Sequence, residues 1–364
     1  MVSTVLPRVA RTPGTDELTL ADVEAIRLLL RGESVIDWHR LNYADHAEVD
    51  RFLRLNEFDP ESDEEMGWLE DVRAEAVDYL ARAYAMAIPD EVAADLPARD
   101  LFLVASSHGP HQKWACVVLK VMHIIHHING RKSLLKMSVS DEIIFREIEL
   151  KVMQVVEQLR AAGAPLTEWE WSRKPRDSQI TKLLAKRSTL AASIYDKLRF
   201  RLIVPTPEDL VPMLATLTRQ LIPFNYIVPG ESVNQLVDLA SLVRTQDESG
   251  RMRAPTAVPY NEFSGPEYRI INFVADLPLR VGRLLPATET PADIGHVVFV
   301  LTEFQIADKQ TALRNESGAS SHEAYKRRQV DTARKRVFGN ELLAWLDAHA
   351  TTPADTAPLN PASV

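Results

Sequence analysis

Cysteine is nearly missing from this chain: Cys116 is the only one in 364 residues. An internal disulfide is thereby excluded, and a reducing compartment is the natural expectation. Cys116 sits in the apolar run from Trp114 to Val118, which reads as an inert buried thiol rather than a nucleophile. Long hydrophobic runs are missing too. The most apolar segment, 114–128, is broken by Lys120, His123, His126 and His127, so no stretch reads as a membrane span. The opening residues, MVSTVLPRVARTPGTDE, have no apolar core of the kind a secretory signal needs. A cytoplasmic protein without a membrane partner is expected. There is no internal repeat, and no Ser/His/Asp or Cys/His arrangement points to covalent catalysis.

What is present is ordinary in amount and uneven in distribution. Hydrophobic residues at 46% and charged residues at 26% suit a globular protein with a sizeable core. The net charge is −9, yet residues 40–100 carry 17 acids against 6 basic residues, while 172–201 carry 9 basic residues against 2 acids. A third block, 322–338, has 6 basic residues and 2 acids. Two basic segments in an acidic protein gather an anion at one place, although each block alone also reads as a solvated helix face. The acidic stretch is expected to fold against the basic site as a built-in phosphate mimic.

Hydrophobic periodicity divides the chain. Residues 1–15 read as an unstructured arm. A helix then starts at the N-cap Thr19, with Asp22 and Glu24 in its first turn and Val23, Ile26, Leu29 and Leu30 on one face. Further helical patterns cover 44–55, 64–87, 112–128 and 141–161, and Gly163-Ala-Pro165 closes this region. Beyond it the pattern changes: 199–204, 225–228, 268–275 and 297–306 alternate as strands, with a helix at 209–221 and another at 315–338. Residues 247–264 read as a long loop. The reading is α+β: a mostly helical N-terminal domain (1–165), a mixed sheet of about five strands flanked by helices (166–340), and a helix end with a disordered tail (341–364).

Phosphoryl-type transfer needs cations to hold the donor phosphates. It also needs one or two carboxylates for Mg²⁺, which neutralises charge at the transition state. The basic helix is on offer in SRKPRDSQITKLLAKR, where Lys182 and Lys186 share a face and Ser178 lies one turn before Lys182. In YDKLRFRLIV, Asp196 precedes a strand that puts Arg199 and Arg201 on one side. In GHVVFVLTEFQIAD, Glu303 and Gln305 share one face of an otherwise apolar strand, where an acid is costly to bury without a cationic partner.

These residues form a pattern. The block TEFQIADKQTALRNESGASSHEAYK resembles the closing segment of the RelA/SpoT-type alarmone synthetases, a strand E-x-Q-I-R-T followed by a helix with E-x-G-x-A-x-H-x-x-Y-K. Glu303, Gln305 and Ile306 match the strand, and Glu316, Gly318, His322, Tyr325 and Lys326 match the helix. Asp196 and Arg201 are similar to the family's D-x-x-G-x-R strand, and Lys174, Ser178 and Lys182 to its R-x-K and S-x-x-x-K pattern. The pieces occur in family order over roughly 155 residues. The resemblance implies a nucleotidyltransferase-like sheet on which ATP donates its β,γ-pyrophosphate to the 3′-hydroxyl of a nucleotide. It implies that Asp196 and Glu303 serve Mg²⁺ and catalysis. Lys174, Ser178, Lys182, Arg201, Gln305, His322 and Lys326 would line the nucleotide site, and Tyr268 would stack on the acceptor base.

The departures are as specific as the matches. Arg199 stands where the family has glycine, Ile270 and Asn272 stand for the acceptor motif's serine and histidine, and Ala307 and Asp308 follow the Q-I pair. Donor and metal parts are kept better than acceptor parts, so guanine nucleotides, adenine nucleotides and tRNA all stay open as acceptors. An inactive nucleotide- or RNA-binding module on the same fold is the alternative. The histidines at 108, 111, 123, 126 and 127 lack the H-E-x-x-H acid and read as core or interface residues.

Overall fold

The computed structural model describes residues 11–32, 41–137, 139–185, 197–239, 265, 267–284, 296–317 and 322–348. The expected loop at 247–264 and the expected tail from 351 lie outside the described residues. In chain order the helices are α1 (Leu20–Arg31), α2 (His46–Leu55), α3 (Asp63–Tyr84), α4 (Leu101–Ser106), α5 (Gln112–Lys136) and α6 (Asp141–Ala161). Then follow β1 (Glu168–Arg173), α7 (Arg176–Ala185), β2 (Leu198–Val204), α8 (Leu210–Gln220), β3 (Val233–Asn234), β4 (Ile271–Arg280) and β5 (Val297–Asp308). The last helices are α9 (Lys309–Asn315) and α10 (His322–Ala348), the latter kinked at Gly339 where φ is 66°.

The architecture is α+β, as read from the sequence. One five-stranded mixed sheet runs in the order β1-β2-β5-β4-β3. Among the described residues only β2 and β5 are parallel; β1 runs antiparallel to β2, and β4 runs antiparallel to both β5 and β3. Period-two alternation sorts each strand into two faces. The even positions of β5 and the odd positions of β4 meet as stacked rings, with Phe304 at 5.5 Å from Phe273 and 5.7 Å from Phe200. All three rings are fully buried.

This apolar face is covered by α1, α6 and α8. Ser140 caps α6, accepting from the Ile143 amide, and Asp141 and Glu142 favour the positive end of the helix dipole. Ile144, Ile148, Val152, Val155, Val156 and Leu159 then repeat on one stripe and join the same core as the strands. In α1, Asp22 serves twice. It closes a capping box with Thr19, and it binds Arg219 of α8 through both carboxylate oxygens. Burial opposes its ionisation, but the Arg219 and Thr19 hydrogen bonds hold its carboxyl below the ordinary value. Gly32 ends α1 in the left-handed region (φ 59°), with Ser232 close enough to exclude a Cβ.

A second core joins α2, α3, α4 and α5. Helix α5 lies on the other face of the sheet, where Gly130 admits the Phe299 ring. The first 165 residues therefore supply helices to both faces, and α1 and α6 share one core with the strands.

Several local expectations are corrected. Residues 224–226 form a turn of 3₁₀ helix rather than a strand; Pro223 precedes it, and Ile227 alone bridges to Ala275. Strand β4 begins at Ile271 rather than Tyr268 and continues to Arg280. The helix expected at 315–338 is α10, which starts at His322 and runs on to Ala348, and the short α9 before it lies outside that expectation. Strand β1 was not anticipated. The acidic segment meets cations elsewhere: Glu57 binds Lys151 at 2.7 Å, and Glu57 and Glu65 bind Arg280. Arg280 lies opposite Val297, six positions along β5 from Glu303.

Candidate active site

The polar face of the sheet is built by register. One cross-strand row is Ser172, Arg199, Glu303 and Val274; the next is Glu170, Arg201, Gln305 and Asn272. The parallel pairing of β2 with β5 sets Arg199 beside Glu303 although 104 residues separate them. Arg199 Nε donates to Glu303 Oε2 at 2.6 Å. The arginine side chain is 30% exposed and the carboxylate 10%, so the guanidinium lies on the solvent side of the acid.

The other carboxylate oxygen, Oε1, accepts from Gln305 Nε2 at 3.3 Å, and the same amide reaches Asn272 Oδ1 at 3.3 Å. Arg201 is held loosely between two exposed acids, Glu170 at 3.5 Å and Glu316 at 3.4 Å. Contacts of that length with exposed acids contribute little, which leaves the Arg201 guanidinium able to turn to an incoming anion. Burial raises the Tyr268 phenol above its ordinary pKa, while the charges of Arg199 and Arg201 act in the opposite direction and Glu303 and Tyr325 add to the rise. Tyr268 thus stands within the field of both arginines and the acid.

Five of the residues singled out by sequence have clear places here or beside it. Arg201, Glu303 and Gln305 share the polar face, Tyr268 stands next to them, and the Lys174 backbone N–H ties β1 to the start of β2 by donating to the Lys197 carbonyl (2.9 Å). Ser178 and Lys182 lie on α7, which packs against α10: Arg336 donates to the Leu184 carbonyl, and Ala185, Ala333 and Tyr325 pack together. Tyr325 thereby connects the α7–α10 pair to Tyr268. Lys326 is exposed on α10. His322 is the first residue of that helix, and its side chain lies outside the described residues, as does Asp196.

Sequence reasoning left three members unassigned: Arg199 as the partner of Glu303, Asn272 as the partner of Gln305, and Glu316 as the partner of Arg201. Alternation places all strand members on one face, but no local signal fixes which positions of β2, β4 and β5 stand opposite each other.

Of the five histidines, His123, His126 and His127 lie at the α5 interface, whereas His108 is exposed and His111 stands at the N-cap of the helix. His127 Nε2 is 2.8 Å from Asp276 Oδ2, and His123 Nδ1 is 3.1 Å from Asn225 Nδ2. His126 packs edge-on against Phe299 at 5.5 Å. Burial is the main reason the imidazoles of His123 and His126 fall to about 3 and about 4, with neighbouring histidines adding to the shift. Among the described residues, no three His, Cys, Asp or Glu side chains lie together as metal ligands. Among the same residues no helix is long and apolar enough to cross a membrane.

No family model matches the chain, and neither does any curated protein. Solved structures do show similarity. The small alarmone synthetase 1 from Bacillus subtilis is 14% identical, with 56% of this chain and 90% of that chain covered at a TM-score of 0.29. The small alarmone synthetase 2 from the same organism is 14% identical, covering 57% and 93% at 0.32. A GTP pyrophosphokinase family protein from Streptococcus pneumoniae is 16% identical, covering 56% and 88% at 0.29. All three TM-scores are too low for the likeness to decide function.

Proposed function

We propose that this chain is a pyrophosphotransferase that moves the β,γ-pyrophosphate of ATP to the 3′-hydroxyl of a nucleotide-type acceptor. In this reaction the hydroxyl oxygen bonds to the β-phosphorus, the bond from that phosphorus to the α–β bridging oxygen breaks, and AMP leaves. One observation carries the reading: a nearly buried carboxylate, Glu303, on the polar face of a central strand, flanked by Arg199 and Arg201 and beside Tyr268. The co-linear motifs from Lys174 to Lys326 support it.

The roles follow from charge and position. Arg201, Lys174, Ser178 and Lys182 hold donor phosphates, and the motif adds His322 and Lys326 as further phosphate ligands. Tyr268 supplies a ring for an acceptor base. Gln305 orients the carboxylate of Glu303, which takes the proton of the attacking hydroxyl. Glu303 also fits a magnesium ion: among the described residues its Oε1 meets only the long Gln305 amide contact and keeps a lone pair, and Mg²⁺ takes one or two carboxylates. Asp196 is the proposed second ligand. Held there, magnesium would neutralise charge on the transferring group.

The test is incubation with ATP labelled at its γ-phosphate, Mg²⁺ and, separately, GDP, GTP, ADP or bulk tRNA, beside Asp196→Ala. Label reaching an acceptor only with the unmutated protein is the expected result. A second reading, a nucleotide- or RNA-binding module, is favoured by the ion pair already formed between Arg199 and Glu303. The exposed basic side of α10, with Lys326, Arg327, Arg334 and Lys335, suits a polyanion such as tRNA as acceptor or ligand. Nucleotide or tRNA binding without transfer to any acceptor would decide for the module.

A further inference from the structure

Among the described residues Arg199 is the one strong partner of the site's acid, and its placement is specific. Its Nε is 2.6 Å from Glu303 Oε2, and it covers a carboxylate that is otherwise nearly enclosed. The arginine side chain itself is 30% exposed, so a dissolved anion can reach it while the acid behind it stays shielded. Arg201 emerges two residues further along the same strand face, about 7 Å away at the strand's rise. Two guanidinium groups at that spacing suit two successive anionic groups, each held in bidentate fashion.

A cation bonded to the carboxylate competes with any divalent ion for the same charge. An anion in the pocket reverses this, because phosphate or sulfate offers the guanidinium an alternative partner of higher charge.

We propose that Arg199 is an anion-released clamp on Glu303: while the pocket holds no anion the guanidinium neutralises the carboxylate, and an oxyanion ligand draws it away and opens Glu303 to a divalent cation. The inference rests on the reading of Glu303 as the metal-holding acid. Arg199 is a positioning residue here, acting through Glu303. Its consequence is an order of binding, anion first and metal second, which keeps the carboxylate from holding metal without a donor phosphate nearby.

The experiment is Mn²⁺ binding to the full chain, followed by the loss of the free-ion EPR signal, with and without excess sulfate. Unmutated protein, Arg199→Gln, Glu303→Gln and the double variant are compared. Sulfate's own hold on Mn²⁺ is common to all samples, so differences between proteins isolate the clamp. Arg199→Gln is expected to bind Mn²⁺ about tenfold more tightly than the unmutated protein without sulfate, the effect of removing one close positive charge. Sulfate is expected to tighten Mn²⁺ binding in the unmutated protein and to leave Arg199→Gln unchanged. Both single and double variants lacking Glu303 are expected to lose the site. Binding that depends on Glu303 but ignores Arg199 and sulfate overturns the clamp alone. Binding that ignores Glu303 overturns its metal role as well. If Arg199→Gln does not fold, the unmutated protein carries the test, and a Mn²⁺ affinity indifferent to sulfate overturns the proposal.

Discussion

Replacing Gly130 by alanine sets two physical effects against each other at one atom. Gly130 lies inside α5, where alanine is favoured over glycine by about 1 kcal/mol in an exposed helix. An ideal Cβ at this position would stand 2.4 Å from Phe299 Cε2, 2.5 Å from Phe299 Cδ2 and 2.9 Å from the Val297 carbonyl oxygen. The ring cannot swing aside cheaply, because it is fully buried with Tyr226 at 4.5 Å and His127 at 4.8 Å between ring centres. The Val297 oxygen belongs to β5 and cannot move without the sheet. Overpacking of this kind costs roughly 1–3 kcal/mol, and contacts this close to a locked ring and a strand carbonyl put it at the upper end, so the net is a loss of up to about 2 kcal/mol. Gly67 is the internal control. It lies in α3 with nothing within 4 Å of its ideal Cβ, so Gly67→Ala is expected to stabilise by about 0.5–1 kcal/mol. Urea denaturation of the two variants should therefore move the midpoint in opposite directions. A midpoint raised by Gly130→Ala would refute the seating of α5 on the sheet.

Other parts of the fold give sharp expectations. His123 and His126 are neutral when buried, with imidazoles at about 3 and about 4 against the ordinary 6.5. Above pH 6.5 both states are neutral and stability is unaffected; as pH falls through 6.5 the unfolded chain binds protons that the folded one refuses. Each imidazole then removes about 2 kcal/mol by pH 5, and His126→Phe should flatten that part of a stability-against-pH curve. A flat curve in the unmutated protein between pH 7 and 5 would count against it. Lys151 Nζ is buried between Glu57 Oε1 and the Pro278 carbonyl, both at 2.7 Å, so Lys151→Met leaves an acid under-paired and should cost about 3–5 kcal/mol in denaturation. Deleting residues 1–165 removes α1 and α6 from the core that covers the strands; the expected product is insoluble or unfolded by circular dichroism, not a more active enzyme.

Much of this arrangement was legible because its causes are local. The bounds of α6 follow from Ser140 and the apolar stripe that begins at Ile144, and the cap of α1 from Thr19 and Asp22. Alternation along β5 put Glu303 and Gln305 together on one face, and that is where they lie. Strand β1 escaped notice because EWEWSR is an edge segment: Glu168, Glu170 and Ser172 face outward, while Trp169 packs on the core and Arg173 binds Glu149 of α6. The 3₁₀ turn at 224–226 escaped because its apolar residues fill the α5 interface rather than a sheet position, with Tyr226 against Phe299. Charge clustering misled in one respect. It counts acids without naming partners, and the acids at 57 and 65 found Lys151 and Arg280 through tertiary contacts that no spacing reveals. The Arg199–Glu303 pair was hidden for the same reason, since parallel register between strands more than a hundred residues apart is a property of the assembled sheet.

The most direct test of the account is a single-turnover rate for pyrophosphate transfer from ATP by Glu303→Gln, compared with the unmutated protein at equal ATP occupancy. The substitution keeps the shape and removes only the charge. A rate reduced by about 10²–10⁴, with ATP binding and thermal stability nearly preserved, is the predicted result. Transfer at an undiminished rate would show that this carboxylate has no part in the chemistry.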